Sequence, residues 1–371
     1  MSRAPAGSRA GFELDFDQAP LLVIWETTRA CALACRHCRA EAVLKRDPGE
    51  LSTQEGLNLI EQAAALAKIM VFSGGDALNR DDLEIFIRRA KERGLHTGAI
   101  PAATEQLTRT TLDSLKEAGL DQLALSLDAP TAALHDSFRG VPGAFARTLA
   151  AAAAARDAGL PLQINTCFGG WNLSHLEGMI DMVKSLRAVF WEVFLLVPMG
   201  RGRGLKGLSA RRCEKLFERI FELNQEGRFL SKSGEGGFVA KITEAPHYAR
   251  FALQKNGGEV PRFRVGMQGR RVSSRQAVNA GKGFMFVDHV GNIYPSGFLP
   301  IAAGNVRRDS LAEVYRNSPL FRDLRNPLLL KGKCGRCEYA SFCGGSRARA
   351  YALTGDYLAS DPWCAFRPAA V

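Results

Sequence analysis

The chain has 371 residues, 46% hydrophobic and 23% charged, enough for a large domain with a smaller one and too apolar for a disordered chain. No apolar run nears the roughly 20 residues that span a bilayer, and the segment before Pro20 lacks the apolar core of a secretory signal, so a cytoplasmic protein without a membrane partner is expected. The net charge of +11 favours anionic partners, but it comes from dispersed arginine without the compact basic and aromatic run of a nucleic-acid surface, so no nucleic acid is expected either.

After an N-terminal extension over 1–20, Leu21–Trp25 reads as a short apolar strand. Ser52, with Glu55 three residues on, is a capping box that starts a helix over Thr53–Lys68. Ile69–Phe72 is a strand, and Asp81–Arg93 is a helix that Gly94 ends. Strands at Leu95–Ile100, Gln122–Leu127, Leu162–Thr166 and Phe190–Val197 alternate with helices near 108–118, 143–158 and 175–187. Six strand–helix steps with short connections predict an α/β fold, a partial (β/α)6 barrel of TIM type over 21–200. A bridging region over 201–278 is rich in Gly, Arg and Ser and holds a helix near 211–226. Strands Phe284–Asp288 and Asn292–Tyr294, joined by a turn at Val290-Gly291, open a second domain over 279–371.

Nine cysteines in such a chain point to metal or redox chemistry rather than a disulfide framework. Cys31, Cys35 and Cys38 form a C-x3-C-x2-C run directly after the first strand. Three thiolates on one tight loop suit a 4Fe–4S cluster with one iron left open, and a zinc site or a set of buried thiols is the other reading. Cys334, Cys337, Cys343 and Cys364 suit either a closed tetrahedral zinc site or a second 4Fe–4S cluster, which spacing does not separate. Cys167 and Cys213 read as buried packing residues, with Cys167 also open as an extra ligand or substrate-side group. Parallel barrels place chemistry at the strand carboxyl ends. Gly74 and Gly75, Ser126 and Asp128, and Gln163, Asn165 and Thr166 all fall at such ends.

These motifs resemble the radical SAM superfamily. Phe72-Ser-Gly74-Gly75-Asp76-Ala-Leu78 matches its glycine motif, with Asp-Ala in place of the usual Glu-Pro. The resemblance implies that S-adenosylmethionine (SAM) fills the vacant iron of the Cys31, Cys35 and Cys38 cluster. It puts Gly74, Gly75 and Asp76 near the methionyl ammonium, and His37 beside the adenine. By the matches at Ser126-Leu-Asp128 and His135-Asp-Ser-Phe-Arg139-Gly140, Ser126 would meet the methionyl group and Arg139 the SAM carboxylate. Gln163 and Asn165 either face the ribose or simply end a strand. Gly304-Asn305-Val306, Cys343-Gly-Gly-Ser346-Arg-Ala348 and Gly355-Asp356 resemble the SPASM/Twitch extension of this superfamily. That implies an auxiliary 4Fe–4S cluster on Cys334, Cys337, Cys343 and Cys364.

Thr243-Glu-Ala-Pro-His247-Tyr248 and Pro295-Ser-Gly-Phe-Leu-Pro300 are similar to the branch related to alternative haem and haem d1 biosynthesis. The function implied is removal of tetrapyrrole carboxylate or propionate groups by a 5′-deoxyadenosyl radical, with an electron donor such as flavodoxin or ferredoxin. Peptide maturation through C–S or C–C crosslinks, on a precursor peptide, is the rival, and a non-catalytic metal-binding scaffold a third reading. Arg262, Arg264, Arg270, Arg271 and Arg275 form a basic stretch suited to a polycarboxylate, or a solvated loop. No residue is singled out as catalytic, and His247 reads equally as a functional or a structural histidine.

Overall fold

Alternating apolar strands and capped helices build one long curved sheet. The structure, a computed structural model, describes residues 12–232, 239–258, 263–267, 270–274 and 278–369. A two-residue strand β1 (Phe12–Glu13) precedes the parallel strands β2 (Leu22–Glu26), β3 (Ile69–Ser73), β4 (His96–Ala99), β5 (Gln122–Ser126), β6 (Leu162–Phe168), β7 (Phe190–Leu195) and β8 (Val239–Thr243). Between them run α1 (Thr53–Leu66), α2 (Leu83–Glu92), α3 (Arg109–Glu117), α4 (Ala132–Arg139), α5 (Ala144–Asp157), α6 (Leu176–Ser185) and α7 (Ala210–Lys232). Helix α1 begins at the expected capping box: the Glu55 amide donates to Ser52 Oγ at 3.3 Å and the Ser52 amide to Glu55 Oε2 at 2.8 Å.

From β2 to β8 each strand pairs in parallel with the next, which gives the six expected strand–helix steps and one further strand. The face toward the helices holds the main core, including the fully buried Trp25, Phe72, Ile164 and Trp191. The alternation of side chains puts the polar residues on the opposite face. There the register sets Glu26 beside Ser73, Ser126 beside Asn165, Asn165 beside Glu192 and Glu192 beside Lys241.

The sheet does not stop at the boundaries expected at 201 and 279. Strand β8 lies inside the expected bridge and pairs in parallel with β7. After α8 (His247–Lys255) and the hairpin of β9 (Phe263–Met267) and β10 (Arg270–Ser274), strand β11 (Phe284–Val287) pairs in parallel with β2. It therefore extends the barrel sheet from its other edge, followed by the antiparallel β12 (Asn292–Tyr294) and β13 (Gly304–Asn305). The physical reason is that each edge of the parallel sheet offers unpaired backbone groups, and these segments cover them. Four short helices, α9 (Leu311–Asn317), α10 (Pro319–Arg325), α11 (Gly332–Gly335) and α12 (Arg347–Thr354), complete the chain.

The basic stretch is not a plain loop: β9 and β10 form a separate three-stranded sheet with β1. Arg262 and Arg275 lie outside the described residues, as do the side chains of Arg264, Arg270 and Arg271.

Candidate active site at the strand carboxyl ends

The Cys31–Cys38 loop leaves β2 and is tied down on three sides. The loop after β3 donates to it, Gly75 N to Thr28 O and Asp76 N to Ala30 O, both at 2.7 Å. The end of α4 takes Ala34 N on Arg139 O at 3.1 Å and Arg36 N on Phe138 O at 2.9 Å. The turn after β7 adds Arg201, whose amide donates to Cys38 O at 3.1 Å and whose Nε donates to Cys35 O at 3.0 Å. Gly75 is required by close approach, because a Cβ there would sit 2.5 Å from the carbonyl oxygens of both Arg29 and Ala30. Gly75→Ala is expected to cost about 1–3 kcal/mol through overpacking and to displace the cysteine loop. Thermal unfolding and the iron retained by this loop check it; unchanged values for both would refute the packing argument.

Cys31 and Cys35 are buried and Cys38 half-buried. Each sulfur has an N–H donor: Leu33 N to Cys31 Sγ at 3.3 Å, Arg139 Nη1 to Cys35 Sγ at 3.5 Å and Ala42 N to Cys38 Sγ at 3.5 Å. A donor set of three thiols, each met by an N–H, suits negatively charged cluster sulfur. Burial pushes the Cys31 thiol up to about 12.

Asp128 and Arg139 form a buried ion pair, Oδ2 to Nη2 at 2.5 Å, and Cys167 N donates to Asp128 Oδ1 at 2.8 Å. Arg139 thus links the end of β5 to Cys35, and its Nε is buried with no hydrogen-bond partner. His37 stacks on Phe138 at 4.7 Å, and Phe138 on Trp171 at 4.7 Å. Burial lowers His37 to about 4, so the ring is neutral at neutral pH.

The predicted residues divide by environment. His37, Asp128 and Arg139 gather around the three cysteines. Gly74 and Gly75 pack under the loop: a Cβ on Gly74 would meet Thr28 O at 2.8 Å. The Asp76 carboxylate is turned into the protein, accepting from Leu78 N at 3.2 Å, Ala102 N at 3.2 Å and Thr104 Oγ1 at 2.8 Å. Ser126 and Asn165 are neighbours on the face away from the helices. Gln163 takes part in a polar ladder: it accepts from Gln122 at 2.8 Å and donates to Asn165 Oδ1 at 2.7 Å and Glu192 Oε2 at 3.0 Å. Glu192 in turn accepts from Lys241 at 3.1 Å and Thr243 at 2.5 Å.

Sequence reasoning missed a second charged group at this rim. Glu26, buried at the end of β2, lies 2.9 Å from Arg39 Nη1 and 3.2 Å from His289 Nδ1. The Arg39 guanidinium rests over the Phe286 ring at 4.4 Å. The available signal was a carboxylate ending an apolar strand, and an arginine directly after the third cysteine. Burial would lower the pKa of His289, but the hydrogen bond and charge of Glu26 outweigh it and the net shift is upward. A histidine favoured in its charged form contributes its full stabilisation below about pH 6.5 and loses it as pH rises through the higher folded value. His289→Gln is therefore expected to flatten this part of the alkaline loss of stability, measured as Tm between about pH 6 and 9; an unchanged pH slope would rule it out.

At the other end of the chain, Cys334, Cys337, Cys343 and Cys364 all line one cavity, together with Arg250, Lys333 and Phe366. Gly344 and Gly345 are both left-handed, with φ +67° and +68°, which turns the chain sharply after Cys343. Gly345 N donates to Cys343 Sγ at 3.4 Å, and Lys333 Nζ reaches the Cys364 carbonyl. Among the described residues no three Cys, His, Asp or Glu side chains converge tightly enough to grip a single metal ion.

Beside this cavity a buried polar frame joins α8 to α12. Arg349 donates to Asp361 at 3.0 and 2.7 Å and to Glu244 O at 2.7 Å. His247 is fully buried against this frame, 3.5 Å from Asp361, with both ring nitrogens lacking hydrogen-bond partners. Burial pushes it down to about 3, so it is a neutral ring here.

A barrel of this topology with three cysteines on the loop after its first strand defines a radical SAM enzyme. The superfamily model for radical SAM proteins matches residues 25–183. An AdoMet-dependent heme synthase of Methanosarcina barkeri is 39% identical over 94% of this chain and 97% of its own length, and the chain belongs to the radical SAM superfamily. A PqqA peptide cyclase of Granulibacter bethesdensis is 29% identical over 95% of this chain and 89% of its own. Among solved structures, Streptococcus suis SuiB bound to S-adenosylmethionine superposes with a TM-score of 0.72 at 16% identity, covering 94% of this chain and 78% of SuiB. The family implies SAM and a 4Fe–4S cluster as cofactors. Among the described residues no helix is long and apolar enough to cross a membrane.

Proposed function

We propose that this radical SAM enzyme removes carboxylate or propionate groups from a tetrapyrrole in haem-type biosynthesis. The observation that carries this is the 39% identity to an AdoMet-dependent heme synthase across nearly the whole of both chains. Cys31, Cys35 and Cys38 would hold the SAM-binding 4Fe–4S cluster, and Cys334, Cys337, Cys343 and Cys364 an auxiliary one. When bound, the cluster and SAM would supply radical chemistry capable of hydrogen-atom abstraction.

The chain's own residues then have assigned tasks. Arg139, anchored by Asp128, orients Cys35 and would offer positive charge to the SAM carboxylate. Neutral His37, fixed by its stack on Phe138, presents an uncharged ring to the adenine side. Gly74 and Gly75 let the β3 loop lie flat under the cysteines, and Asp76 holds that loop in shape through Thr104. Ser126, Gln163 and Asn165 supply polar contacts along the wall of strand ends.

The test is anaerobic incubation of reconstituted protein with SAM, a reductant and an iron porphyrin bearing propionates, followed by mass spectrometry. The expected result is a mass decrease matching lost carboxyl groups, together with 5′-deoxyadenosine. Turnover of a peptide with no change in the porphyrin would instead establish the peptide-maturation reading, which the 29% identity to a PqqA peptide cyclase favours.

A further inference from the structure

We infer that Arg347 is the buried counter-charge of the C-terminal cysteine site and raises the reduction potential of the cluster held there; this rests on the assignment of Cys334, Cys337, Cys343 and Cys364 to an auxiliary 4Fe–4S cluster. Among the described residues five arginines are buried: Arg80, Arg139, Arg250, Arg347 and Arg349. Four of them have a carboxylate at ion-pair distance, Arg80 with Asp82, Arg139 with Asp128, Arg250 with Glu214 and Arg349 with Asp361. Arg347 differs. Its donors go to carbonyl oxygens, Nε to Gly345 O at 3.2 Å and Nη1 to Tyr357 O at 2.9 Å and to Ala359 O at 2.8 Å.

Carbonyl oxygens satisfy N–H donors but bring no net negative charge. Asp361 is already taken by Arg349, Ser346 N and Trp363 N. A guanidinium keeps its proton inside proteins, and a buried charge without a counter-charge is costly. Burial pulls the Arg347 pKa below its usual value, with the Cys334 sulfur the main influence against it. Arg139 and Arg349 are also buried, but their aspartates outweigh burial and the net shift is upward. The position makes the cost greater. Arg347 is the first residue of α12, and the amino end of a helix carries positive partial charge.

The remaining arm of the guanidinium points to what balances it: Nη2 lies 4.0 Å from Cys334 Sγ. A Cβ on Gly345 would lie 2.8 Å from Nη2 and 3.4 Å from that sulfur, so the glycine keeps this approach open. Neutral thiols do not balance Arg347, whereas four thiolates on a dipositive core form a dianion, and one-electron reduction makes it a trianion. A nearby buried cation favours the more negative state, which raises the potential. Lys333, half-buried with its Nζ on the Cys364 carbonyl, adds to the same field. Arg336 and Glu338 flank Cys337, are both exposed and offset each other in solvent.

The test compares Arg347→Gln, Arg347→Lys and Arg336→Gln in the full-length chain carrying Cys31→Ala, Cys35→Ala and Cys38→Ala, so that iron content and the EPR signal report the C-terminal site alone. After anaerobic reconstitution, each protein is titrated with dithionite in the presence of redox mediators. For Arg347→Gln the expected result is a reduced-to-oxidised ratio at least about tenfold lower at a fixed potential, a fall of about 59 mV for one electron. Arg347→Lys, which keeps the charge, should stay within about threefold of the parent, and so should Arg336→Gln, whose charge is screened by solvent.

An unchanged potential in Arg347→Gln, an equal fall in Arg347→Lys or an equal fall in Arg336→Gln would each overturn the inference. Should Arg347→Gln take up no iron, Arg347→Lys decides. Iron held by the lysine variant supports the counter-charge, and iron lost from both shows that the bonds to the carbonyls are what matter and overturns it. A failure of the cluster assignment shows separately, as parent protein that takes up zinc and no iron, and the inference then falls with it.

Discussion

Cys35→Ala is expected to abolish reductive cleavage of SAM, while the protein keeps its fold and any iron bound by the proposed C-terminal site. Cys35 is the buried member of the three that receives the Arg139 guanidinium, at 3.5 Å, so its sulfur sits where the loop, α4 and the β5 end meet. Removing it leaves two thiols, too few to hold three irons. The larger variant, with Cys31, Cys35 and Cys38 all changed to alanine, should retain about four of about eight irons after anaerobic reconstitution. Changing Cys364 should spare SAM cleavage at first and remove iron from the other site. The measurements are iron and sulfide content with 5′-deoxyadenosine yield. Undiminished cleavage in Cys35→Ala would end the assignment of this loop, and stoichiometric zinc without iron uptake would end the reading of both sites.

Much of this candidate site was legible because its three cysteines are close in sequence. Cys31, Cys35 and Cys38 lie on one loop, and the capping box at Ser52 and Glu55 announces the next helix with no tertiary help. Cys364, grouped from sequence with Cys334, Cys337 and Cys343, lines one cavity with them. What sequence did not disclose are contacts made across the chain. Arg201 meets Cys35 over 166 residues, and His289 meets Glu26 over 263. No local periodicity marks such pairs.

Asp76 shows a different limit. A carboxylate after two glycines reads alike whether it faces a cofactor or caps its own loop, and here both oxygens are taken by Leu78, Ala102 and Thr104. Composition changes near 201 and 279, yet β8 in the expected bridge and β11 in the expected second domain both pair with the barrel sheet. Loop-like composition says nothing about which edge a five-residue strand will cover.

Arg349→Met is expected to be the most damaging substitution away from the cysteines. Arg349 and Asp361 are both fully buried, and the arginine also supports Glu244 O at 2.7 Å and lies over the Trp363 ring at 4.5 Å. Methionine roughly fills the space but leaves the Asp361 carboxylate buried without its cation, a change that costs about 3–5 kcal/mol. Burial alone would raise the pKa of Asp361, but the Arg349 charge and hydrogen bonds hold it well below the usual carboxylate range. The sign follows: the pair's stabilisation is fully present above about pH 4, the unfolded value, and is lost only as pH falls toward the much lower folded value. Wild type should therefore keep this contribution in mildly acidic buffer, whereas the variant should be weakened throughout the neutral range. Because Ser346 N also donates to Asp361, at 2.9 Å, and Ser346 follows the Cys343-Gly344-Gly345 turn, the variant should lose iron from the C-terminal site before the barrel unfolds. Adding Asp361→Leu should recover part of the stability, since a buried ion pair exchanged whole for apolar groups is often neutral. Thermal unfolding with iron content at each step decides it: a stable Arg349→Met protein with a full C-terminal site would show that this frame does not hold the auxiliary cysteines in place.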